Sequence, residues 1–191
     1  MVKLIDLSKE FEGKKAIDGL SLEFPERGFI AVCGPSGCGK TTLLNLIARL
    51  AKPSGGKIVF GIPEPIISMS FQEPRLLDGR TAAENVNLVL GDKKATLPRA
   101  EELLSELGIS DADQYPDELS GGMKARVSIA RALALKADLY LFDEPFANLD
   151  RETAILCADV IKRRTADSLT VAVIHDTELA EKIADRVIYL K

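Results

Sequence analysis

The stretch with the clearest chemistry is Gly34 to Thr42, GPSGCGKTT, which fits G-x-x-x-x-G-K-[ST] with Gly34, Gly39, Lys40 and Thr41 in the fixed places. Glycines such as Gly34, Gly37 and Gly39 let the backbone around Pro35, Ser36 and Cys38 curl, so that successive N–H groups point inward at phosphate oxygens. Lys40 can reach the outer phosphates, and the hydroxyl of Thr41, followed by Thr42, suits Mg²⁺. That is the chemistry of a bound nucleoside triphosphate. By itself it does not choose among kinases, GTPases and motor ATPases.

Other groups add to it. Asp143 and Glu144 close an apolar run, LYLF, at 139–142. Asp143 suits a Mg²⁺-bound water, and Glu144, projecting differently, could polarise an attacking water. His175, the single histidine of the chain, follows another apolar run, Leu169 to Ile174. It is either a structural or surface residue or a functional group at a strand's carboxyl end. Ser120-Gly121-Gly122 opens a helix and is either a second anion cradle or a plain N-cap by Ser120. Phe11, in a hairpin tip at Phe11-Glu12-Gly13-Lys14, either stacks on a base or plugs a sheet edge.

Hydrophobic periodicity supplies the frame that must hold these groups. Phe29 to Cys33 reads as a buried strand, and Leu43, Leu44, Leu46, Ile47 and Leu50 recur at helical spacing after the glycine-rich turn. Val2 to Leu7 reads as an edge strand with Val2, Leu4 and Asp6 on one face. Leu20 to Phe24 alternates as a half-buried strand ending at Pro25. Lys57 to Phe60 and Ile66 to Ser70 are short strands, after which Phe71-Gln72-Glu73-Pro74 leaves the sheet. From Asp78 to Leu135 the character is helical: Thr81 to Leu90, Pro98 to Leu107 and Met123 to Leu135, with Gly91 and Gly108 as stops. Strands return at 139–142, 169–174 and 186–190, with covering helices at 154–164 and 178–184.

Bulk properties exclude other classes. With 191 residues, 46% apolar and 28% charged, the chain is an ordinary globular domain. A net charge of −4 gives no help to a nucleic-acid or anionic-membrane reading. Cys33, Cys38 and Cys157 have no metal-ligand spacing and read as reduced thiols. No apolar run is long enough to cross a bilayer and no signal peptide is visible, so work at a membrane would need another chain to supply the span.

GPSGCGKTT, Gln72 in SFQEP, LSGGM at 119–123, LYLFDEP at 139–145, Asn148-Leu149-Asp150 and His175 occur in the order found in ABC-type ATPases. The sequence resembles the nucleotide-binding subunit of an ABC transporter over essentially its whole length, and FQEPRLLDGRTAAENV looks most like importers for nitrate, sulfonates or taurine. The resemblance implies that Gly34 to Thr42 hold the phosphates of ATP and that Phe11 stacks on adenine. Thr41 and Gln72 would ligate Mg²⁺ with Asp143 behind them, Glu144 would be the general base, and His175 would touch the γ-phosphate. Ser120, Gly121 and Gly122 would contact ATP on a second copy in a head-to-tail dimer, with Asp150 crossing the interface. One chain holding two cradles but one P-loop lysine fits such an arrangement.

The expected fold is therefore α/β: a P-loop core with a mostly parallel sheet, a small antiparallel β region and an inserted helical subdomain. The core would comprise 1–72 and 137–191, and the subdomain about 73–136. The expected function is Mg²⁺-dependent ATP hydrolysis powering a separate membrane permease. Import is the expected direction, with an extracytoplasmic solute-binding protein acting indirectly. The protein would sit on the cytoplasmic face of the membrane, with no nucleic-acid partner. A soluble ABC-type mechanoenzyme acting on ribosomes or DNA is the alternative.

Overall fold

Five segments form one parallel sheet in the computed structural model, which describes residues 2–91 and 93–191. They are β3 (Gly28–Cys33), β5 (Ile67–Ser70), β6 (Leu139–Asp143), β7 (Leu169–Val173) and β8 (Arg186–Tyr189), in the order β5-β6-β7-β3-β8. Side chains alternate across a strand, so successive residues enter different cores. Ile30, Val32, Leu139, Leu141, Val171 and Val173 pack on one face with α1 (Lys40–Ile47) and an antiparallel sheet. Phe29, Ala31, Tyr140, Phe142 and Ala172 pack on the other face, against helices. Both faces of β3, β6 and β7 are covered, which is why these three strands lack polar alternation.

The helices on that second face are α2 (Ala82–Asn87), α3 (Leu97–Glu106), α4 (Gly121–Ala134), α5 (Arg151–Arg164) and α6 (Thr177–Ile183). Leu103, Leu104, Val127, Ile129, Ile161 and Leu179 are buried between them. Burying each such side chain is worth about 1.5–3 kcal/mol. Exposed ion pairs are worth ~0.2–1 kcal/mol each. The links from Arg163 and Arg164 on α5 to Glu102 and Glu106 on α3 therefore trim a contact that packing sets.

The antiparallel sheet has the order β2-β1-β4, from β1 (Val2–Phe11), β2 (Lys14–Phe24) and β4 (Gly55–Phe60). β1 is thus central, not an edge strand as its alternation suggests. Nor does Asp6 continue the inward face of Val2 and Leu4. Its φ is +48° and the register shifts there, so that Leu7, fully buried, takes the next inward place. A bulge of this kind breaks the period of two that the pattern assumes.

Other boundaries move for local reasons. α1 ends at Ile47, and Leu50 lies beyond it at 61% exposure rather than on its buried face. α2 stops at Asn87 and tightens into a 3₁₀ turn, Leu88–Leu90, before Gly91 at φ +92°. α4 begins at Gly121 rather than Met123. The reason is its cap: Ser120 Oγ accepts from the Met123 N–H at 3.2 Å and satisfies a first-turn donor.

Candidate functional site

Sheet order assembles the site. The neighbours β5, β6, β7 and β3 each lead at their carboxyl ends into a segment with a candidate residue: Gln72, then Asp143 and Glu144, then His175, then the Gly34–Gly39 loop. Parallel strands end on the same edge, so residues 72, 144 and 175, far apart in the chain, meet above it.

The loop itself is fixed by close approach. Gly39 sits at φ +95°, and a Cβ there would stand 2.3 Å from the carbonyl oxygen of Ala16. Only glycine fits both the left-handed backbone and that contact. Gly39 is also the N-cap of α1 and offers no side-chain cap, so first-turn N–H groups are left for an anion. Lys40 is buried, with Nζ donating to the carbonyl oxygens of Gly34 and Pro35 at 2.8 Å each. The loop folds around its own ammonium group.

Thr41 Oγ1 donates to Asp143 Oδ1 at 3.2 Å. Asp143 is buried; burial pushes its carboxyl above the ordinary range, the Thr41 bond opposes this, and the charge of Glu144 adds to the rise. A hydroxyl, a carboxylate and the Gln72 amide form an all-oxygen donor set, which fits a hard cation such as Mg²⁺ that keeps waters and phosphate oxygens as its other ligands.

Glu144 is held from both sides. Gln72 Nε2 donates to its Oε2 at 3.2 Å, and His175 Nε2 lies 2.6 Å from its Oε1. Its backbone is in the left-handed region, at φ +51°. That conformation is uncommon for a non-glycine residue and recurs at functional sites. A cleft of about 540 Å³ opens in front of it, lined among others by Ser36, Gly37, Lys40, Thr41, Thr42 and Gln72. Ala16, whose carbonyl oxygen abuts Gly39, also lines this cleft, and its residue type gives no signal of this in the sequence. Behind Glu144 and His175 lies a mostly apolar crevice of about 280 Å³ walled by Phe146, Leu149 and Leu179.

Several candidates stand elsewhere. Cys38 lines a neighbouring cavity of about 470 Å³ that meets the cleft at Ala16 and Gly37. Phe11 is 50% exposed beside the Lys9 ammonium, 4.7 Å from its ring centroid, so it plugs no sheet edge and does not line the cleft. Ser120, Gly121 and Gly122 are also outside the cleft of their own chain. Gly122 instead abuts the 146–150 loop: a Cβ on it would stand 2.9 Å from the Asn148 carbonyl oxygen. Asp150 caps α5, accepting from the N–H and Oγ1 of Thr153 at 2.9 and 2.7 Å, and these bonds hold its carboxyl below the ordinary range.

A glycine-rich loop opening a helix at the carboxyl edge of a parallel sheet, with an Asp–Glu pair and a histidine across from it, defines a P-loop nucleoside triphosphatase. The ABC transporter family model matches residues 17–147. The aliphatic sulfonates import ATP-binding protein SsuB of Rhodopseudomonas palustris is 41% identical over 98% of this chain and 70% of its own length. The arginine transport ATP-binding protein ArtM of Bacillus subtilis is 36% identical over 100% of this chain and 87% of its own. Among solved structures, a dimeric post-hydrolysis state of the ATP-binding cassette MJ0796 bound to ADP and Pi superposes with a TM-score of 0.88 at 31% identity, over 100% of this chain and 94% of that one. The chain belongs to the ABC transporter family, as an ATP-binding subunit with ATPase activity. Among the described residues no helix is long and apolar enough to cross a membrane.

Proposed function

We propose that this protein binds ATP in the 540 Å³ cleft and hydrolyses it to drive inward transport through a separate membrane permease. The observation that carries the reading is Glu144, poised over the cleft that contains Lys40 and Thr41, with one oxygen on Gln72 and the other on His175.

The residues divide the work as follows. Lys40 exchanges the carbonyls of Gly34 and Pro35 for phosphate oxygens, aided by the free N–H groups of the loop and of α1. Thr41 and Gln72 would hold Mg²⁺, with Asp143 steadying Thr41, and the ion would supply positive charge against the phosphates. Once Gln72 and His175 turn to ligand, Glu144 is free to take a proton from water. That water's oxygen bonds to the γ-phosphorus as the bond to the β–γ bridging oxygen breaks, and ADP leaves with the electron pair. His175 then faces the γ-phosphate. Phe11, half exposed beside the Lys9 ammonium, stacks on adenine.

Two copies assemble head to tail. Ser120, Gly121 and Gly122 lie outside their own cleft, and the amides at the start of α4 complete the cleft of the partner. The dimeric state described for the MJ0796 cassette supports this. Residues 73–136 form the helical subdomain that meets the permease. Leu77, 50% exposed beside α2, belongs to the docking surface. Relatives named for sulfonates, arginine and glycine betaine share this cassette. Solute choice then rests with the membrane subunits and an extracytoplasmic binding protein. The working position is the cytoplasmic face of the membrane.

The test is ATP hydrolysis by the purified chain and by Glu144→Gln. Phosphate release that survives Glu144→Gln at the wild-type rate would remove Glu144 from the mechanism.

A further inference from the structure

Arg131, near the end of α4, is partly buried, and burial lowers its pKa from the ordinary arginine value; among the described residues no carboxylate pairs with it. Its bonds go to backbone. Nη2 donates to the carbonyl oxygen of Pro74 at 2.5 Å and Nη1 to that of Arg75 at 2.9 Å. A guanidinium withdrawn from water must be well bonded, and its planar fork matches two adjacent carbonyls. The loop it grips is also closed on itself. Arg75 is held at φ +47°, and its guanidinium lies 4.3 Å from the ring centroid of Phe71, so the segment curls tightly around Gln72.

The same loop is bonded onward into the helical block. Asn85, fully buried on α2, accepts from the Leu77 N–H at 2.8 Å and donates to the carbonyl oxygens of Leu77 and Arg80 at 3.1 and 3.0 Å. α4 touches the core sheet beside Arg131: Ser128 Oγ lies 2.9 Å from Ser70 Oγ, and Ser68 Oγ donates to the Ala132 carbonyl at 2.7 Å. These buried bonds to β5 make a fulcrum. The Gly121 end of α4 lies about 15 Å away at the helical rise. Midway between, Arg126 reaches across to the carbonyls of Leu107 and Gly108, just past the end of α3.

We propose that Arg131 is a positioning residue that makes α4 a lever: it grips the loop after Gln72 and converts displacement of Gln72 into movement of the Ser120–Gly122 end. The inference rests on the reading of Gln72 as the residue that turns to the bound nucleotide. It goes beyond that reading by naming the side chain that carries the signal to the cradle for the partner's ATP. Displacement of the gripped loop tilts α4 about its bonds to β5, the tilt moves the distant Gly121 end most, and the cradle is aligned only when Gln72 is in place.

The experiment is a double-mutant cycle on the full chain carrying Glu144→Gln, so that ATP is held and not consumed. Gln72→Ala, Arg131→Met and the combination are compared for ATP-driven dimerisation by sedimentation, for Mg-ATP affinity of the dilute monomer by equilibrium dialysis, and for thermal midpoint. Arg131→Met should weaken dimerisation about tenfold while monomer affinity stays within about twofold. The double variant should be no worse than the weaker single one, because both act on one connection. Arg131→Lys, which keeps the charge without the fork, should fall between, and it takes the place of Arg131→Met in the cycle if that protein does not fold. Additive losses, or unchanged dimerisation with Arg131 replaced, overturn the proposal while leaving Gln72 as read. If Gln72→Ala itself leaves dimerisation unchanged, the reading of Gln72 falls and the lever with it.

Discussion

His175 Nε2 lies 2.6 Å from Glu144 Oε1, while Gln72 takes the other carboxylate oxygen, so both oxygens of the proposed general base are engaged within the chain. Turnover then requires that these contacts be exchanged for contacts to ATP. Glu144→Gln should retain Mg-ATP binding and lose about 10²-fold or more in turnover, since only proton removal is lost. Lys40→Ala should instead lose most nucleotide binding, measured by equilibrium dialysis. A Glu144→Gln protein with normal turnover, or a Lys40→Ala protein with normal affinity, contradicts the assignment.

Assembly gives a second prediction. Glu144→Gln should be largely monomeric without nucleotide and should gain mass with Mg-ATP at high protein concentration, read by light scattering. Gly122→Asp should abolish the gain, because a carboxylate would enter a cradle meant for phosphate. Gly122→Ala should weaken it as well, since its Cβ would press on the Asn148 carbonyl at 2.9 Å and displace one of the two segments. Constant mass in every condition argues against the sandwich.

Leu76 and Leu77 should part company. Leu76 packs against the core cluster of the helical face, whereas Leu77 is 50% exposed. Leu77→Glu should leave basal ATPase within about twofold and prevent co-purification with the membrane subunit, because a charge is placed on a surface that must be desolvated. Leu76→Glu should lower the thermal midpoint of the isolated chain. Full assembly of Leu77→Glu with its membrane subunit would move the docking surface elsewhere.

Glu106 supplies a pH dependence. Bonds from Arg164 and Arg163 hold its carboxyl below the ordinary glutamate value, so the folded state favours the charged form. A depressed folded pKa contributes stability above the unfolded value, about 4.3, and that contribution is lost as pH falls through the lowered folded value. The site is partly exposed, so the effect is modest. Glu106→Gln should cost about 2 °C of thermal midpoint near neutrality, with the difference from wild type vanishing in strong acid. A constant offset across that range would mean that the side chain acts by packing.

Much of the site is legible in the sequence alone. Glycines, Lys40 and Thr41 at fixed spacing, apolar runs ending in Asp143-Glu144 and in His175, and LSGGM each carry local chemistry, and local chemistry is what a linear pattern records. The doubly buried strands are equally plain, because both of their faces need apolar residues. What the pattern does not carry is order across the sheet. β1 lies in the middle of its sheet because β4 comes to pair with it, and Asp6 leaves the inward face because a bulge at that point breaks the alternation. The choice between Leu76 and Leu77 as the packed residue depends on how α2 and α4 sit on the loop. Gln72, Glu144 and His175 are brought within hydrogen-bond reach only by the neighbour order β5-β6-β7, and Arg131 finds Pro74 and Arg75 only once α4 has docked on β5. Such contacts between distant residues are set by the packing of whole faces, a property of the assembled core and of no single stretch of the chain.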